Sequence, residues 1–362
     1  MAGTRALDHE RIAEVRGRCT RWLNGHGPQR PAELLATIPP DVDPDRYGAG
    51  GVVQTLESEV AELLGKEAAL FLPTGTMAQQ TALRVHAERR GRRTVAWHPS
   101  CHLDWHEGRG YQRLHGVVSV PAGRAGVPLR LEDLEAVAEP PAALLLELPQ
   151  RELGGTLPSW DELGAMAGWA RERGAAVHLD GARLWEAAPF YGRPEAEIAG
   201  VFDTVYVSFY KGLGAIAGCC LAGPADVVAE VSEWRTRHGG RAFGLWPYAA
   251  SALTCLHLRR DRMGRYWEHA GAIARVMEGS DAVRVVPDPP QTRMMHLQLR
   301  VTPEDLHARA LAIAEADGIW TFAEPFAVDA PGLVRLELSV GDATLGFEPE
   351  EVRRLVERLA CG

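Results

Sequence analysis

Lys211 is the residue whose type is hardest to explain by structure alone. It lies in the run SFYKGLG, residues 208–214, where glycines flank it within an otherwise apolar stretch. The chain has 39 lysine and arginine residues, and of these only Lys66 and Lys211 are lysines. Arginine stays protonated, whereas a lysine amine that loses its proton can form an imine with a carbonyl group. The retained lysine therefore indicates chemistry that arginine cannot perform.

Two more polar side chains occur near the ends of predicted strands. Asp180 ends the strand AAVHLD, where its carboxylate either keeps a pyridine nitrogen protonated or caps the helix that follows. Ser208 lies three residues before Lys211 and is either a hydroxyl donor to a phosphate or a buried strand serine. In open parallel sheets, ligands bind beyond the carboxyl ends of the strands. We therefore expect these residues to share one site.

The segment LPTGTMAQQTAL has the pattern of a strand, a tight glycine turn and a helix start. The backbone N–H groups of Gly75, Thr76 and Met77 are expected to be free at that helix N-terminus, where the helix dipole also favours an anion. This turn suits a phosphate. An imine-forming amine, an acid for a pyridine nitrogen and a phosphate turn together describe a site for pyridoxal 5'-phosphate.

Histidine and arginine side chains complete the candidate site. His102 follows the predicted strand RTVAWHP, where it would stack on a heteroaromatic ring, transfer a proton or lie on the surface. Arg183 and Arg335 would each bind a substrate carboxylate through two parallel hydrogen bonds. Because arginine is abundant in this chain, a surface position is the alternative, and it is stronger for Arg335.

The elements that must position these residues follow an α/β pattern. Apolar strands alternate with amphipathic helices between about residues 54 and 210, which predicts a mainly parallel sheet covered on both faces. The segment 21–51 is rich in proline and glycine, and after about residue 250 the pattern becomes that of a smaller α+β domain. We predict an N-terminal arm over 1–46, a cofactor-binding domain over 47–250 and a small domain over 251–362.

Composition excludes several classes of protein. Hydrophobic residues make up 46% and charged residues 24% of the chain, as in ordinary soluble globular proteins. The net charge of −9 argues against a nucleic acid or an anionic membrane as partner. The N-terminus lacks a signal-peptide core, and no apolar run is long enough to span a bilayer. The six cysteines lack metal-ligand spacing, which predicts reduced thiols in the cytoplasm and no metal site.

Three segments occur in an order that points to a known family: DRYGAGGVVQTLESEVAELLGKEAALFLPTGTMAQQTAL, AAVHLDGARLWEAA and SFYKGLGAIAG. They resemble the low-specificity L-threonine aldolase and β-eliminating lyase family of fold-type-I pyridoxal-phosphate enzymes. The similarity is close over about residues 45–245 and loose in the C-terminal domain. It implies the α/β fold of the pyridoxal-phosphate transferases, with a mainly parallel large-domain sheet and a smaller α+β domain.

The resemblance also implies roles for the cofactor-binding residues. Lys211 would bond to the cofactor and Asp180 would pair with its pyridine nitrogen. Gly75 and Thr76 would hold the phosphate, and His102 would lie over the cofactor ring and take part in proton transfer.

Substrate binding and assembly are implied in the same way. Arg183 and Arg335 would bind the α-carboxylate of an amino acid, and Tyr47 resembles a tyrosine that reaches the site of a neighbouring subunit. Members of the family assemble as dimers of dimers, so we expect a homo-oligomer, either a dimer or a tetramer.

The substrate-facing segments depart from the family pattern. The LRSDT-type motif near the N-terminus is missing, and Asn24 and His26 either occupy that space or are loop residues. Where the family has a LENTHN-type run, this chain reads LELPQRELGG, so Glu147, Gln150 and Arg151 would line a changed pocket. The resemblance therefore implies the cofactor more firmly than threonine as substrate.

We predict a pyridoxal-phosphate-dependent lyase that cleaves a β-hydroxy-α-amino acid to glycine and an aldehyde by a retro-aldol reaction. The alternative is β-elimination of a leaving group such as a thiolate, after Lys211 removes the α-proton. A non-catalytic relative of the fold is a third possibility, against which Lys211 and Asp180 both argue. The absence of GxGxxG and GxxxxGK[ST] motifs disfavours a nucleotide-binding protein.

Overall fold

The structure is a computed structural model that describes residues 9–322 and 326–361. The chain divides into two compact units. The larger unit is Arg30–Met263, and the smaller one combines the chain up to Gln29 with the chain from Gly264 onward. The predicted arm over 1–46 is thus divided between the units. The larger unit ends at Met263, whereas the sequence predicted the end of the cofactor-binding domain at residue 250.

Within the described ranges the strands form three sheets. In chain order they are β1 (Arg21–Trp22), β2 (Ala68–Leu72), β3 (Thr94–Trp97), β4 (Val118–Pro121), β5 (Ala143–Glu147), β6 (Ala176–Gly181), β7 (Thr204–Ser208), β8 (Cys219–Gly223), β9 (Val283–Val286), β10 (Met294–Leu299), β11 (Ile319–Trp320), β12 (Phe326–Ala330) and β13 (Leu333–Ser339).

The helices alternate with the strands in the larger unit. In chain order they are α1 (His9–Arg18), α2 (Pro31–Ala36), α3 (Gly51–Leu63), α4 (Gly75–Arg90), α5 (His102–Trp105), α6 (Gly110–His115), α7 (Leu131–Glu135), α8 (Trp160–Glu172), α9 (Ala188–Tyr191), α10 (Glu195–Gly200), α11 (Ala225–Arg237), α12 (Trp246–Arg259), α13 (Met263–Val276), α14 (Pro303–Asp317) and α15 (Pro349–Cys361). Over 9–322 and 326–361, none of them combines the length and the apolar character needed to cross a membrane.

The larger unit is built on a seven-stranded sheet in the order β2-β8-β7-β6-β5-β3-β4. Strand β8 runs antiparallel to β2 and β7, and the other neighbouring pairs are parallel. Strands β6 and β7 are buried at every position, as expected for parallel strands with both faces covered. The predicted mainly parallel α/β sheet is confirmed.

The smaller unit contains a four-stranded antiparallel sheet in the order β12-β13-β10-β9 and a parallel pair formed by β1 and β11. Strand β13 alternates between buried and half-buried residues. Val334, Leu336 and Leu338 are the buried set, so one face of the sheet contributes to the core of this unit. An α+β unit of this kind was expected.

Glu57 on α3 connects helix and sheet through a partly buried carboxyl group. Its Oε1 atom accepts a hydrogen bond from the backbone N–H of Phe71, on the edge strand β2, at 2.7 Å. Burial raises the pKa of Glu57 to about 7, although the Phe71 N–H and the Arg235 charge oppose the shift. Between about pH 4.5 and 7 the folded protein therefore binds a proton that the unfolded chain has lost.

Glu57→Gln is expected to make stability less dependent on pH. The free energy of unfolding of the wild type should fall as pH rises through that window, and the glutamine keeps the acceptor for Phe71 without titrating. Titration of Glu57 should lower the free energy of unfolding by at most ~1.4 kcal/mol per pH unit, and the substitution should abolish that decrease. Urea unfolding from pH 5 to 8 measures this, with Glu62→Gln on the exposed side of the same helix as control. Equal slopes for wild type and Glu57→Gln would contradict the prediction.

Candidate active site

Three titratable side chains meet at the carboxyl ends of three adjacent strands. Glu147 is the last residue of β5 and lies opposite Asp180 of β6 in the parallel register. Asp180 lies opposite Tyr206 of β7, and Lys211 follows that strand after a bend of two residues. Lys211 and Asp180, predicted as one site, are therefore brought together, and Glu147 joins them.

Burial and mutual repulsion set the protonation of this cluster. The pKa of Glu147 is raised to about 8, first by burial and then by the Asp180 charge. The pKa of Lys211 is lowered by burial and by the Arg183 charge, against the attraction of Asp180 and Glu147. Glu147 is thus mainly protonated at neutral pH, and the uncharged amine form of Lys211 becomes more accessible.

Helix α4 fixes the Asp180 carboxylate. Gln79 donates from Nε2 to Asp180 Oδ2 at 2.7 Å, and the backbone N–H of Ala182 donates to Oδ1 at 3.1 Å. Asp180 and Gln79 are only 2% and 1% exposed. These contacts orient the carboxylate and leave lone pairs on both oxygens for a further donor.

The predicted phosphate turn has the expected backbone, with one correction. Helix α4 begins at Gly75, and the first N–H groups of a helix have no intrahelical acceptor. Met77 was expected to offer a free N–H group, but its N–H donates to the side chain of Thr74, the N-cap, at 3.3 Å. The N–H groups at Gly75 and Thr76 remain the candidates for an anion.

Ser208 adds a hydroxyl to this region. In the sheet, Ser208 pairs with Cys219 of β8, and Cys219 pairs with Leu72 at the end of β2. Ser208 therefore lies two strands away from the strand that leads into the phosphate turn. The side chain is fully buried, with the Tyr210 hydroxyl nearby, and makes no hydrogen bond of ordinary geometry within the described ranges. A buried hydroxyl of this kind requires an acceptor, which a phosphate oxygen would supply.

Gly75 is the tightest point of the turn, and Gly75→Ala is expected to disturb it. A Cβ atom at residue 75 would lie 2.1 Å from the hydroxyl oxygen of the fully buried Tyr206. The backbone must shift to relieve the clash, at a cost of about 1–3 kcal/mol. We expect pyridoxal phosphate to bind at least ~10-fold more weakly. Titration of cofactor-free protein measures this, and Gly168→Ala in α8, where a Cβ meets nothing within 4 Å, is the control. Unchanged affinity would show that the turn does not hold the cofactor.

His102 begins the short helix α5 beside this cluster. Its pKa is lowered to about 4 by burial and by the positive charge of Lys211. At neutral pH the imidazole is therefore uncharged, which suits stacking on an aromatic ring and makes it a poor proton acceptor. Glu107 lies with Oε1 4.0 Å from His102 Nε2 and accepts a hydrogen bond from Gln80 at 2.8 Å, with the Thr76 hydroxyl nearby.

Arg183 lies in the turn after β6 and is almost buried. Its side chain is 12% exposed, and its Nε atom is 4.0 Å from Oε1 of the completely buried Glu186. Glu186 in turn packs against Gly212, where any Cβ would lie 2.5 Å from Oε1. A surface position is therefore wrong for Arg183, since the residue is held next to the Lys211 segment.

Tyr47 lies in a loop whose shape is set by Asp45. The buried Asp45 carboxylate accepts from the N–H groups of Gly48, Leu245 and Trp246. Tyr47 has a positive φ of 54° and packs edge to face against Phe243, with ring centroids 5.4 Å apart. Its side chain is 51% exposed. The contact with a neighbouring subunit stays a prediction.

The remaining predicted substrate ligands belong to the smaller unit. Asn24 donates to the backbone carbonyl of Glu337 at 3.0 Å and accepts from the N–H of Ser339 at 2.8 Å, so its amide stabilises β13. His26 lies with Nδ1 3.4 Å from Asp342 Oδ2. Arg335 is half-buried on the face of β13 opposite the core residues. Substrate binding by these three residues stays a prediction.

Several polar residues that contact the site were not predicted as part of it. Gln79 donates a hydrogen bond to Asp180, and Glu107 lies next to Thr76. His106 and Glu152 form a pair close to His102. Gln79 and its neighbour Gln80 are both buried on α4. The two adjacent glutamines in LPTGTMAQQTAL could have indicated these contacts, because buried polar residues normally make hydrogen bonds.

The donors and acceptors of this site fit pyridoxal phosphate. Lys211 offers an amine with a lowered pKa, and Asp180 offers a buried, oriented carboxylate. The turn at Gly75 and Thr76 and the buried hydroxyl of Ser208 suit a phosphate.

Comparison with known proteins gives a consistent result. The family model for beta-eliminating lyases matches residues 37–300. The low specificity L-threonine aldolase of Escherichia coli K12 is 31% identical over 261 residues, which cover 70% of this chain and 78% of that protein.

Solved structures agree with the sequence matches. A candidate aromatic amino acid beta-eliminating lyase/threonine aldolase from Exiguobacterium sp. 255-15 has a TM-score of 0.90 and 38% identity, covering 97% of this chain and 99% of the other. A candidate L-allo-threonine aldolase from Listeria monocytogenes has a TM-score of 0.90 and 37% identity, covering 97% and 98%. The chain therefore belongs to the beta-eliminating lyase family of pyridoxal-phosphate enzymes.

Proposed function

We propose that this protein is a pyridoxal-phosphate-dependent lyase that cleaves a β-hydroxy-α-amino acid to glycine and an aldehyde. The observation that carries the proposal is the placement of Lys211, Asp180 and the anion-binding turn at Gly75 on the strand ends of one sheet. The aldolase names of the relatives support the reaction type.

The residues of the larger unit have distinct roles in this proposal. Bound pyridoxal phosphate supplies an electron-withdrawing ring that stabilises negative charge at the α-carbon of an amino acid. Asp180 would face the pyridine nitrogen, and Lys211 would hold the cofactor through its amine. Arg183 would bind the α-carboxylate, and the uncharged His102 would lie against the ring. Holding the carboxylate decides which bond of the α-carbon is set for cleavage.

A β-eliminating lyase is the second candidate. The lowered pKa of Lys211 favours it, because an uncharged amine beside the α-carbon is suited to remove the α-proton. A β-substituent such as a thiolate would then leave.

A product assay on the purified protein separates the two reactions. L-threonine, L-allo-threonine, phenylserine and L-cysteine are supplied in turn to the wild type. Glycine with an aldehyde from a hydroxy amino acid supports the aldolase. If cysteine gives pyruvate and sulfide while the three hydroxy amino acids give no glycine, the aldolase assignment is wrong and the protein is a β-eliminating lyase.

Two finer points belong to the same proposal. A homo-oligomer is supported by the exposed aromatic pair of Tyr47 and Phe243, which are 51% and 65% exposed. Light scattering of the purified protein tests it, and a monomer at assay concentration would contradict it. The cytoplasmic location stays a prediction.

A further inference from the structure

A histidine–glutamate pair lies beside His102. His106 Nε2 is 2.9 Å from Oε1 of Glu152, and the rings of His106 and His102 have centroids 4.9 Å apart. Glu152 is 7% exposed and also accepts a hydrogen bond from Arg151 at 3.2 Å. The charged and titratable groups around His106 are thus His102 and Glu107 on its own segment, and Arg151 and Glu152 on the facing turn.

The carboxylate fixes which nitrogen of His106 carries the proton. A carboxylate accepts hydrogen bonds, so Nε2 carries the hydrogen in the neutral ring and Nδ1 has an open lone pair. Within the described ranges Nδ1 makes no hydrogen bond, and the side chain is 38% exposed. A proton accepted at Nδ1 would make the Nε2–H···Oε1 contact a charge-assisted hydrogen bond to the buried Glu152.

The other polar groups near this pair are less accessible to a substrate hydroxyl or do not titrate near neutral pH. The pKa of His102 itself is lowered to about 4 by burial and by Lys211. Burial raises the pKa of Glu107, but its side chain is only 3% exposed and already accepts a hydrogen bond from Gln80 at 2.8 Å. Gln150 does not titrate, and its amide contacts His98 Nδ1 at 2.6 Å.

We infer that His106, oriented by Glu152, is the base that accepts the β-hydroxyl proton of the substrate. This inference rests on the proposed aldol cleavage. The O–H bond breaks as the proton passes to His106 Nδ1, its electron pair forms the carbonyl of the aldehyde, and the Cα–Cβ electron pair stays on the α-carbon. A proton from solvent then completes glycine, and His106 releases its own proton to solvent. His106 is a catalytic residue in this step, and Glu152 is a positioning residue.

The test compares two reactions of the same holoenzyme. Cleavage of a β-hydroxy amino acid needs the hydroxyl proton to be removed, whereas exchange of the α-proton of glycine in D₂O does not. We expect His106→Gln to lower the cleavage kcat about 100-fold and to leave glycine exchange within about 3-fold of the wild type. His257→Gln is the matched control, because His257 Nε2 lies 2.6 Å from Glu59 Oε1 in a surface pair. Both of its rates should equal those of the wild type.

Glu152→Gln supplies a readout that does not depend on turnover. The glutamine amide can donate as well as accept, so it no longer holds Nε2 of His106 as the donor, and ¹⁵N NMR of the ring should show a mixture of tautomers in place of the Nε2–H form. The cleavage kcat should fall with this loss of orientation, while glycine exchange stays within about 3-fold of the wild type.

Each outcome decides the inference. Cleavage and exchange that fall together in His106→Gln would show that the residue supports the cofactor or the amino acid, and would overturn it. Cleavage equal to the wild type would overturn it as well, while leaving the proposed function intact. A wild type that exchanges glycine but cleaves no hydroxy amino acid would overturn the proposed function and this inference with it.

Discussion

Lys211→Ala is expected to remove both bound cofactor and activity. The amine of Lys211 has a lowered pKa and lies beside Asp180 at the strand ends, so its loss removes the group that would hold the cofactor. We expect the visible absorbance of bound pyridoxal phosphate to disappear and cleavage to fall at least about 1,000-fold. Spectra and product assays on the purified variant measure both effects.

The only other lysine supplies the control for this experiment. Lys66 follows α3, and its Nζ atom donates to the backbone carbonyl of Phe202 at 2.6 Å. Lys66→Arg keeps the positive charge and removes the second amine. Its spectrum and activity should match those of the wild type. A Lys211→Ala protein that keeps the absorbance and the activity would show that another group holds the cofactor.

Asp180→Asn is expected to lower activity about 100- to 1,000-fold while the protein still folds and binds cofactor. The asparagine can still accept the hydrogen bond of the Ala182 N–H, but it has no negative charge to keep a pyridine nitrogen protonated. The loss is comparable to that of removing one well-placed electrostatic partner of a reacting group. Cofactor affinity and kcat are measured on the same preparation.

Asp203→Asn controls for the loss of a carboxylate in the same sheet. Asp203 Oδ2 accepts from the N–H of Val177 at 2.7 Å, at the opposite end of the strands. This variant should lose stability without losing activity per folded molecule. If Asp180→Asn retained wild-type kcat, the carboxylate would have only the structural role of accepting hydrogen bonds from Gln79 and the Ala182 N–H.

The sheet and its strand-end residues could be predicted because they follow a local pattern. Strands β6 and β7 are mainly apolar runs; Asp180 is the next-to-last residue of β6, and Lys211 is the third residue after β7. Parallel strands place such positions at one edge of a sheet, so the convergence follows from topology alone.

The contacts around those residues could not be predicted in the same way. Glu107 and Glu152 belong to different short segments, and only packing brings them to Thr76 and His106. Polar residues of this kind look like surface residues in a sequence. The prediction that Met77 offers a free N–H group was wrong for a local reason, because the side chain of Thr74 caps the helix and accepts that hydrogen bond.

Asn24 has contacts that its sequence position did not indicate. Substrate binding by this residue stays a prediction, and in the smaller unit its amide joins two backbone groups of β13. Loop residues near a terminus offer no periodic pattern, so their partners depend on contacts distant in the chain.

Borohydride reduction followed by peptide mass spectrometry tests most directly whether Lys211 carries the cofactor. Reduction makes a lysine–carbonyl linkage permanent, and the chain contains only two lysines, so the modified peptide identifies the residue. We predict a phosphopyridoxyl group on the peptide with Lys211 and none on the peptide with Lys66. A group on Lys66, or no modified peptide after incubation with cofactor, would contradict the proposed site.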